Sequence, residues 1–446
     1  MLNGIKIYTV DNFTNHKFAK KLTTQQIKDI KVVGNVLPFK SNNYVVEKLI
    51  NWDNIPEDPM FTLTFPRKEM LTEEDYYLIE KLIDKNASHN EINQVANQIR
   101  TRLNPHPANQ IHNIPEYKGQ KLYGVQHKYR ETVLFFPSHG QTCHAYCTFC
   151  FRWPQFVSFK SLKFATKEIN LLVNYLKSHK EVTDVLFTGG DPMIMSAELL
   201  KHYIEPLLSN ELKHIQTIRI GTKSLSYWPY RYFADVDSQE ILNLFNKIVD
   251  EGKNLAIMAH FNHYKELQTD EVKLAIRNIR QTRAQIRTQS PILNHINNDP
   301  NVWIKMWREQ VNNNCIPYYM FLPRDTGAKH FFDVSLKDAW DVFRNAYKSV
   351  SGVCRTVRGP SMSATPGKIQ IIGISEIKGE KVFVLRFLQG RNPDWVDIPF
   401  FAKYDEKASW LSELTPAFDE EKFFFEDEMI QRFNEKFTNN ESDRFE

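Results

Sequence analysis

The 446-residue chain is short of most features that would send it to a membrane, an oxidising compartment or a polyanion. No stretch approaches the roughly eighteen consecutive apolar residues that cross a bilayer as a helix. The opening MLNGIKIYTVDNF has neither the basic start nor the apolar core of a signal peptide. Lys plus Arg number 57 against 53 Asp plus Glu, and this formal +4 is too weak and too evenly spread to attract nucleic acid or a membrane. Five cysteines are an odd number for a disulfide framework, and three of them fall within eight residues. There is no internal repeat. These absences predict a cytoplasmic protein with neither nucleic acid nor membrane as partner. The 42% hydrophobic, 13% aromatic and 25% charged side chains suit a chain that buries a large core.

From residue 131 onward, short β-branched or aromatic runs alternate with amphipathic stretches. The strand candidates are Glu131–Phe136, Asp184–Thr188, Gln216–Gly221, Asn254–His260, Gln285–Ser290 and Cys315–Phe321. Between them the apolar spacing follows the helical period, as in Ile241, Leu244, Phe245, Ile248 and Val249, or Val272, Ala275, Ile276 and Ile279. Thr166, Ser238, Thr269 and Ser335 stand where N-caps are expected. Alternating units of this kind make parallel strands with right-handed crossovers, in a doubly wound sheet or a partial barrel. Residues 1–125 read as an N-terminal helical extension and linker, with helices around Glu73–Lys85 and Glu91–Leu103 and a connection through Asn104–Pro115. Residues 126–350 form the core. Residues 351–446 form a C-terminal unit, with antiparallel strand candidates Ile369–Ile374 and Lys381–Phe387 about a turn at Gly379, and an acidic, partly helical tail from Phe418 to NNESDRFE.

Cys143, Cys147 and Cys150 make the pattern C-x3-C-x2-C just after the first strand of the core. Thiolates are soft ligands that hold iron–sulfur clusters. With no fourth cysteine nearby, one iron of a four-iron cluster is left open to bind a small molecule. A zinc site normally pairs C-x2-C with a second Cys/His pair, and His144, adjacent to Cys143, does not supply one. This spacing, with Phe149 before the third cysteine, resembles the radical S-adenosylmethionine superfamily. Val185-Leu-Phe-Thr-Gly-Gly-Asp191 resembles its glycine-glycine-acid motif. The superfamily fold so implied is an α/β partial (β/α)6 barrel, matching the six units above. The resemblance implies a [4Fe-4S] cluster on the three cysteines, and S-adenosyl-L-methionine near Phe149, Gly189, Gly190, Asp191, Lys223, His260 and Gln289.

Further segments resemble the lysine 2,3-aminomutase family. Its HRYPDRV is His127-Lys-Tyr-Arg-Glu-Thr-Val133, its RIGSRT is Arg219-Ile-Gly-Thr-Lys-Ser224, and its THFNHPNE is Ala259-His-Phe-Asn-His-Tyr-Lys-Glu266. Its NQSVLLRGVND resembles Thr288–Asp299, and its RPYY is Ile316-Pro-Tyr-Tyr319. The family holds pyridoxal 5′-phosphate on a lysine in the segment APGGGGK, here Gly359-Pro-Ser-Met-Ser-Ala-Thr-Pro-Gly-Lys368, which keeps the lysine and loses most glycines. The resemblance makes Lys368 the catalytic imine-forming lysine. It places Lys128 and Tyr129 at the cofactor phosphate, where Thr132 replaces a family arginine and Arg130 is a candidate substitute. It gives Arg152 the α-carboxylate of the substrate. Of the two family carboxylates that hold a substrate ammonium, one falls near Asp325 and the other at Ser361, so lysine fits poorly and Arg324 points toward an acidic or neutral side chain. The family's cysteine-bound C-terminal metal site is absent, and Cys315 and Cys354 read as ordinary buried thiols.

The reading is therefore a radical S-adenosylmethionine enzyme that forms a 5′-deoxyadenosyl radical and moves an amino group between adjacent carbons of an amino acid, an isomerase of the 2,3-aminomutase type. Its partners are a small amino-acid substrate and an electron donor such as flavodoxin or ferredoxin, and relatives imply self-association. The alternatives are a radical enzyme without pyridoxal phosphate that performs another hydrogen abstraction, and a non-catalytic iron–sulfur protein.

Overall fold

The computed structural model describes residues 4–103, 111–157 and 164–432. Each apolar run of the core becomes a strand, and all of them join one mixed sheet of 11 strands. In chain order these are β1 (Val125–Tyr129), β2 (Thr132–Phe135), β3 (Asp184–Phe187), β4 (Thr217–Thr222), β5 (Asn254–His260), β6 (Gln285–Pro291) and β7 (Ile316–Phe321). They continue as β8 (Arg358–Ser363), β9 (Gly367–Ile377), β10 (Glu380–Gly390) and β11 (Pro399–Lys403). Their order across the sheet is their order in the chain. Strands β2 to β8 run parallel, while β1 and β9 to β11 pair antiparallel with their neighbours.

The six expected strands are β2 to β7. Strand β8 is a seventh parallel member that the apolar pattern does not signal, because Gly359, Pro360 and Ser361 have low strand propensity. Tertiary pairing creates it, with Tyr319 beside Arg358 and Phe321 beside Ser361. The two expected C-terminal strands are β9 and β10, joined through Lys378 and Gly379 at positive φ (52° and 80°), as a two-residue hairpin turn requires. They extend the core sheet through β8.

Crossovers between the parallel strands carry helices with buried apolar stripes. In the helix Asp270–Gln281, Val272, Ala275, Ile276 and Ile279 are buried, Thr269 caps the start by accepting from the Val272 N–H, and Asp270 and Glu271 complement the positive end of the dipole. Ser335 caps Leu336–Lys348 in the same way. Two expected caps differ. Ser238 is already the first residue of Ser238–Asp250, after Asp237, whose carboxylate is occupied by Arg231 and the Ala197 N–H. Thr166 lies two residues ahead of the cap position of Ile169–Ser178 and accepts from the Glu168 N–H.

The N-terminal region is helical over Thr24–Gly34, Pro59–Thr64, Glu73–Asp84 and His89–Leu103, and it also carries a short ladder of Ile7–Thr9 with Lys40–Asn42. Most of the expected Asn104–Pro115 connection, and the terminal NNESDRFE, lie outside the described residues. Within the acidic tail, residues 426–432 are helical, and Phe423 and Phe425 ahead of them are buried against Phe387 and Phe400. Among the described residues no helix is long and apolar enough to cross a membrane.

Candidate active site

Side chains alternate across a strand, so one face of β2 to β9 sends every second residue toward a common space. On β4 the buried Ile218, Ile220 and Thr222 face one way, while Arg219 and Gly221 line a cavity on the other. Leu134, Leu186, Met258, His260, Gln289, Tyr319, Ser363 and Lys368 line it from the neighbouring strands. The cavity has two adjoining lobes, of about 260 and 210 Å³, which share Arg152, Arg219, Arg324, Ser363 and Lys368 among their walls.

The inner lobe is closed by the loop that carries the cysteines. Phe149, between Cys147 and Cys150, lines it, with its ring 5.7 Å from that of His260. His260 and Gln289 stand side by side on β5 and β6. Burial holds His260 neutral, and its Nε2 has no partner. The cysteine loop has little regular structure of its own and is held by the N-terminal region. The Tyr146 N–H donates to the Lys40 carbonyl, the Thr148 N–H to the Leu63 carbonyl, and Asn42 Nδ2 to the carbonyls of His144 and Tyr227 at 3.1 and 2.9 Å. Cys147 Sγ lies 3.5 Å from the Tyr227 hydroxyl. The sequence gives no sign of this collar, because Lys40 and Asn42 belong to no recognisable pattern.

All three thiols are free, and burial raises the pKa of each, that of Cys150 to about 12. A bare loop of this kind favours neutral thiols, and a metal centre would supply the positive charge that stabilises thiolates. Among the described residues no trio of His, Cys, Asp or Glu converges on a point where a single ion would sit. A four-iron cluster, which takes one thiolate per iron, needs no such convergence. The donor set of three thiols and no carboxylate fits an iron–sulfur cluster.

The glycine-glycine-acid segment serves the loop. A Cβ on Gly190 would meet the Thr142 N at 2.5 Å, and Gly189, at φ 137°, lies against the Gln141 side chain. Asp191 donates its N–H to the carbonyls of Gly140 and Thr142, and its carboxylate accepts from Thr222 Oγ1, from the Lys223 N–H and from the Met193 N–H. Burial raises its pKa to about 6 despite these donors. Lys223 Nζ is tied to Glu266 at 2.6 Å and to Asn262 at 2.9 Å. Gly189, Gly190 and Asp191 therefore brace the segment leading into the cysteine loop, Lys223 is tied instead to Asn262 and Glu266, and none of the four is among the residues that line the two lobes, whereas Phe149, His260 and Gln289 line the inner one.

Lys368 enters from β9 at the wall shared by both lobes. Gly367 before it is a close approach, since a Cβ there would meet ring atoms of Phe387 at 2.7 Å. Lys368 Nζ stands 4.2 Å from the centroid of the Tyr319 ring, and no salt bridge forms at it among the described residues. Burial, reinforced by Arg219 and Arg358, lowers its pKa to about 7, so the amine is substantially neutral and nucleophilic near neutral pH. The outer lobe beside it is cationic. Lys128 donates to the Ala364 carbonyl, and Arg391 donates to the Thr365 carbonyl at 2.9 Å and to Asn113 at 2.7 Å. Tyr129 and Thr132 also line this lobe. Arg130, the expected substitute cation, is exposed and does not line it; Arg391, which no motif signals, does. Arg152 lies 4.3 Å from the Phe136 ring and leaves a buried Nη1 without a partner. Asp325 and Ser361 do not line the cavity, and Ser361 donates to the Met320 carbonyl. A nucleophilic lysine beside clustered cations fits an aldehyde cofactor with a phosphate.

A protein of Aquifex aeolicus provisionally named L-lysine 2,3-aminomutase is 28% identical over 406 residues, covering 91% of this chain and 95% of its own. The chain is similar to the lysine 2,3-aminomutases along most of its length. L-lysine 2,3-aminomutase of Methanococcus maripaludis is 26% identical over 74% of this chain and 64% of its own. Glutamate 2,3-aminomutase of Clostridioides difficile is 29% identical over 47% of each. A solved radical SAM methyltransferase from Sphaerobacter thermophilus overlays with a TM-score of 0.40 at 13% identity, covering 66% of this chain and 94% of that one. No family model matches the chain.

Proposed function

We propose that the protein cleaves S-adenosylmethionine reductively at an iron–sulfur cluster and uses the ensuing hydrogen abstraction to move an amino group between adjacent carbons of an amino acid held on pyridoxal 5′-phosphate. One observation carries this reading: Phe149 and Arg152, on either side of Cys150, line the same cavity as Lys368. Cys143, Cys147 and Cys150 would hold the cluster, and Lys368 the aldehyde cofactor. When bound, those groups supply one-electron cleavage and electron delocalisation.

The chain's own residues bind, orient and exclude water. Lys368 offers a neutral amine at physiological pH. Arg391 supplies positive charge for the phosphate, Lys128 beside it offers a donor amine that burial holds well below the ordinary lysine range, and Arg152 has an unpartnered donor for the α-carboxylate. Phe149, Met258 and His260 offer an apolar and aromatic wall for an adenosyl group. Monotonic strand order with right-handed crossovers puts the helices on one face, so we infer that the sheet curls as a partial barrel around the lobes. Reduction requires a one-electron donor of the flavodoxin or ferredoxin type. The relatives' names cover lysine and glutamate, which leaves the side chain open.

Anaerobically reconstituted protein, given dithionite, S-adenosylmethionine and amino acids labelled with ¹⁵N at the α position, should release methionine and move the label to the β-carbon by NMR. Cofactor cleavage with no migration across the common amino acids would favour hydrogen abstraction without pyridoxal phosphate.

A further inference from the structure

We infer that the substrate is a dicarboxylic amino acid, whose side-chain carboxylate is read by Arg324. This rests on the reading above, in which Lys368 holds the cofactor, and it names the substrate class for that site.

The first observation is the charge of the walls. Among the described residues the two lobes are lined by the guanidinium groups of Arg152, Arg219, Arg324 and Arg391, by the amines of Lys128 and Lys368, both held below the ordinary lysine range by burial, and by no aspartate or glutamate. An ammonium at the end of a substrate side chain would be buried beside cations with nothing to compensate it. Among the described residues the only carboxylate salt-bridged to a lining cation is that of Asp184, which takes Arg219 as a bidentate partner and removes it from recognition, while Asp325, which does not line the lobes, acts on Arg324 only through its field.

The second observation is what remains after each cation has its task. Lys128 and Arg391 line the outer lobe alone and donate to the carbonyls of Ala364 and Thr365 in the turn that leads to Lys368. Arg152 and Arg324 line both lobes. Among the described residues Arg324 forms no salt bridge; its guanidinium lies 5.6 Å from the Phe151 ring and 5.9 Å from that of Trp410. The Arg152 guanidinium lies 5.2 Å from the same Phe151 ring. Two guanidinium groups thus flank one aromatic ring beside Lys368, a fixed pair of planar forks suited to two carboxylates on one short chain. With the α-carboxylate on Arg152, the second falls to Arg324. A neutral side chain would leave the half-buried Arg324 with no salt-bridge partner among the described residues, only the field of the neighbouring Asp325.

The test uses the complete chain reconstituted anaerobically with iron, sulfide and pyridoxal phosphate. Borohydride mapping first establishes whether Lys368 carries the cofactor; if it does not, the underlying reading fails and the substrate question does not arise. If it does, L-glutamate, L-aspartate, L-lysine and L-leucine are titrated separately, following the cofactor's visible absorbance. Half-saturation at least ten-fold lower for glutamate or aspartate than for lysine and leucine is expected. Arg324→Gln should raise the acidic amino acid's half-saturation at least ten-fold and leave that of leucine within two-fold, and Arg324→Lys should restore part of the loss. A purely structural role for Arg324 would weaken all four alike. Preference for lysine or leucine, or an equal loss for every amino acid in Arg324→Gln, would overturn the inference while leaving cofactor attachment intact.

Discussion

The loop of Cys143, Cys147 and Cys150 has little regular structure of its own and takes its backbone partners from Lys40, Asn42, Thr62 and Leu63, whereas Lys368 sits within the sheet, opposite Ser363 and Gln389, just ahead of a register shift in the ladder. The two ends of one cavity are thus built differently. The loop proposed to hold the cluster keeps its thiols free and is braced from outside. A nucleophilic amine gains from fixed placement and dry surroundings, which a sheet provides. Damage to the collar should therefore loosen cluster loading gradually, while damage at the ladder should act at one atom.

The largest effect belongs to the thiols. Replacing Cys143, Cys147 and Cys150 together by Ala should abolish iron–sulfur absorbance and S-adenosylmethionine cleavage, and retention of full iron and sulfide would break the assignment. Lys368→Ala comes next: fixation of pyridoxal phosphate should vanish while iron content and S-adenosylmethionine cleavage persist, because the two ends are separately built. Loss of both together would show that the ends are one folding unit. Arg152→Ala should leave cofactor attachment intact and weaken amino-acid binding by about 2–5 kcal/mol, read as half-saturation. Asn42→Ala removes the donor to two buried carbonyls, so a stability loss of about 1–3 kcal/mol with reduced iron per chain is expected by thermal melting and iron assay. Unchanged melting and iron would mean that the collar is dispensable.

The pH dependence is the mildest test. Burial lowers Lys368 from the ordinary 10.5 to about 7, so the neutral amine is scarce below that pH and dominant above it. The rate of cofactor attachment should rise with pH through about 7 and then level. The folded chain binds fewer protons at this site than the unfolded chain between about 7 and 10.5, so Lys368 lowers stability progressively as pH falls through that window. Lys368→Met should remove this slope.

Legibility in the sequence divided along the same lines. The parallel strands were readable from their apolar residues, as a continuous buried run in Leu255–Ala259 or by alternation, as with Ile218 and Ile220 on β4. Strand β8 was not, since its Gly359-Pro-Ser segment gains its shape only from pairing with β7. The cysteines were legible from spacing alone. Their collar was not, because Asn42 acts through a contact 102 residues away and leaves no periodic trace. Arg391 is invisible for the same reason: it lies just beyond β10, 23 positions after Lys368, and only the hairpin fold returns it to the outer lobe. The glycine-glycine-acid segment was recognised, but its steric task, making room for Gln141 and Thr142, becomes visible only in three dimensions.

One cavity joins the cysteine loop to Lys368, the lysine proposed to carry pyridoxal phosphate. Anaerobically loaded protein reduced with borohydride, digested and mapped by mass spectrometry tests it most directly. The account predicts the reduced cofactor on the peptide containing Thr365–Lys368 and on no other lysine. Pyridoxal phosphate spread over surface lysines, or absent from that peptide at full loading, would contradict it.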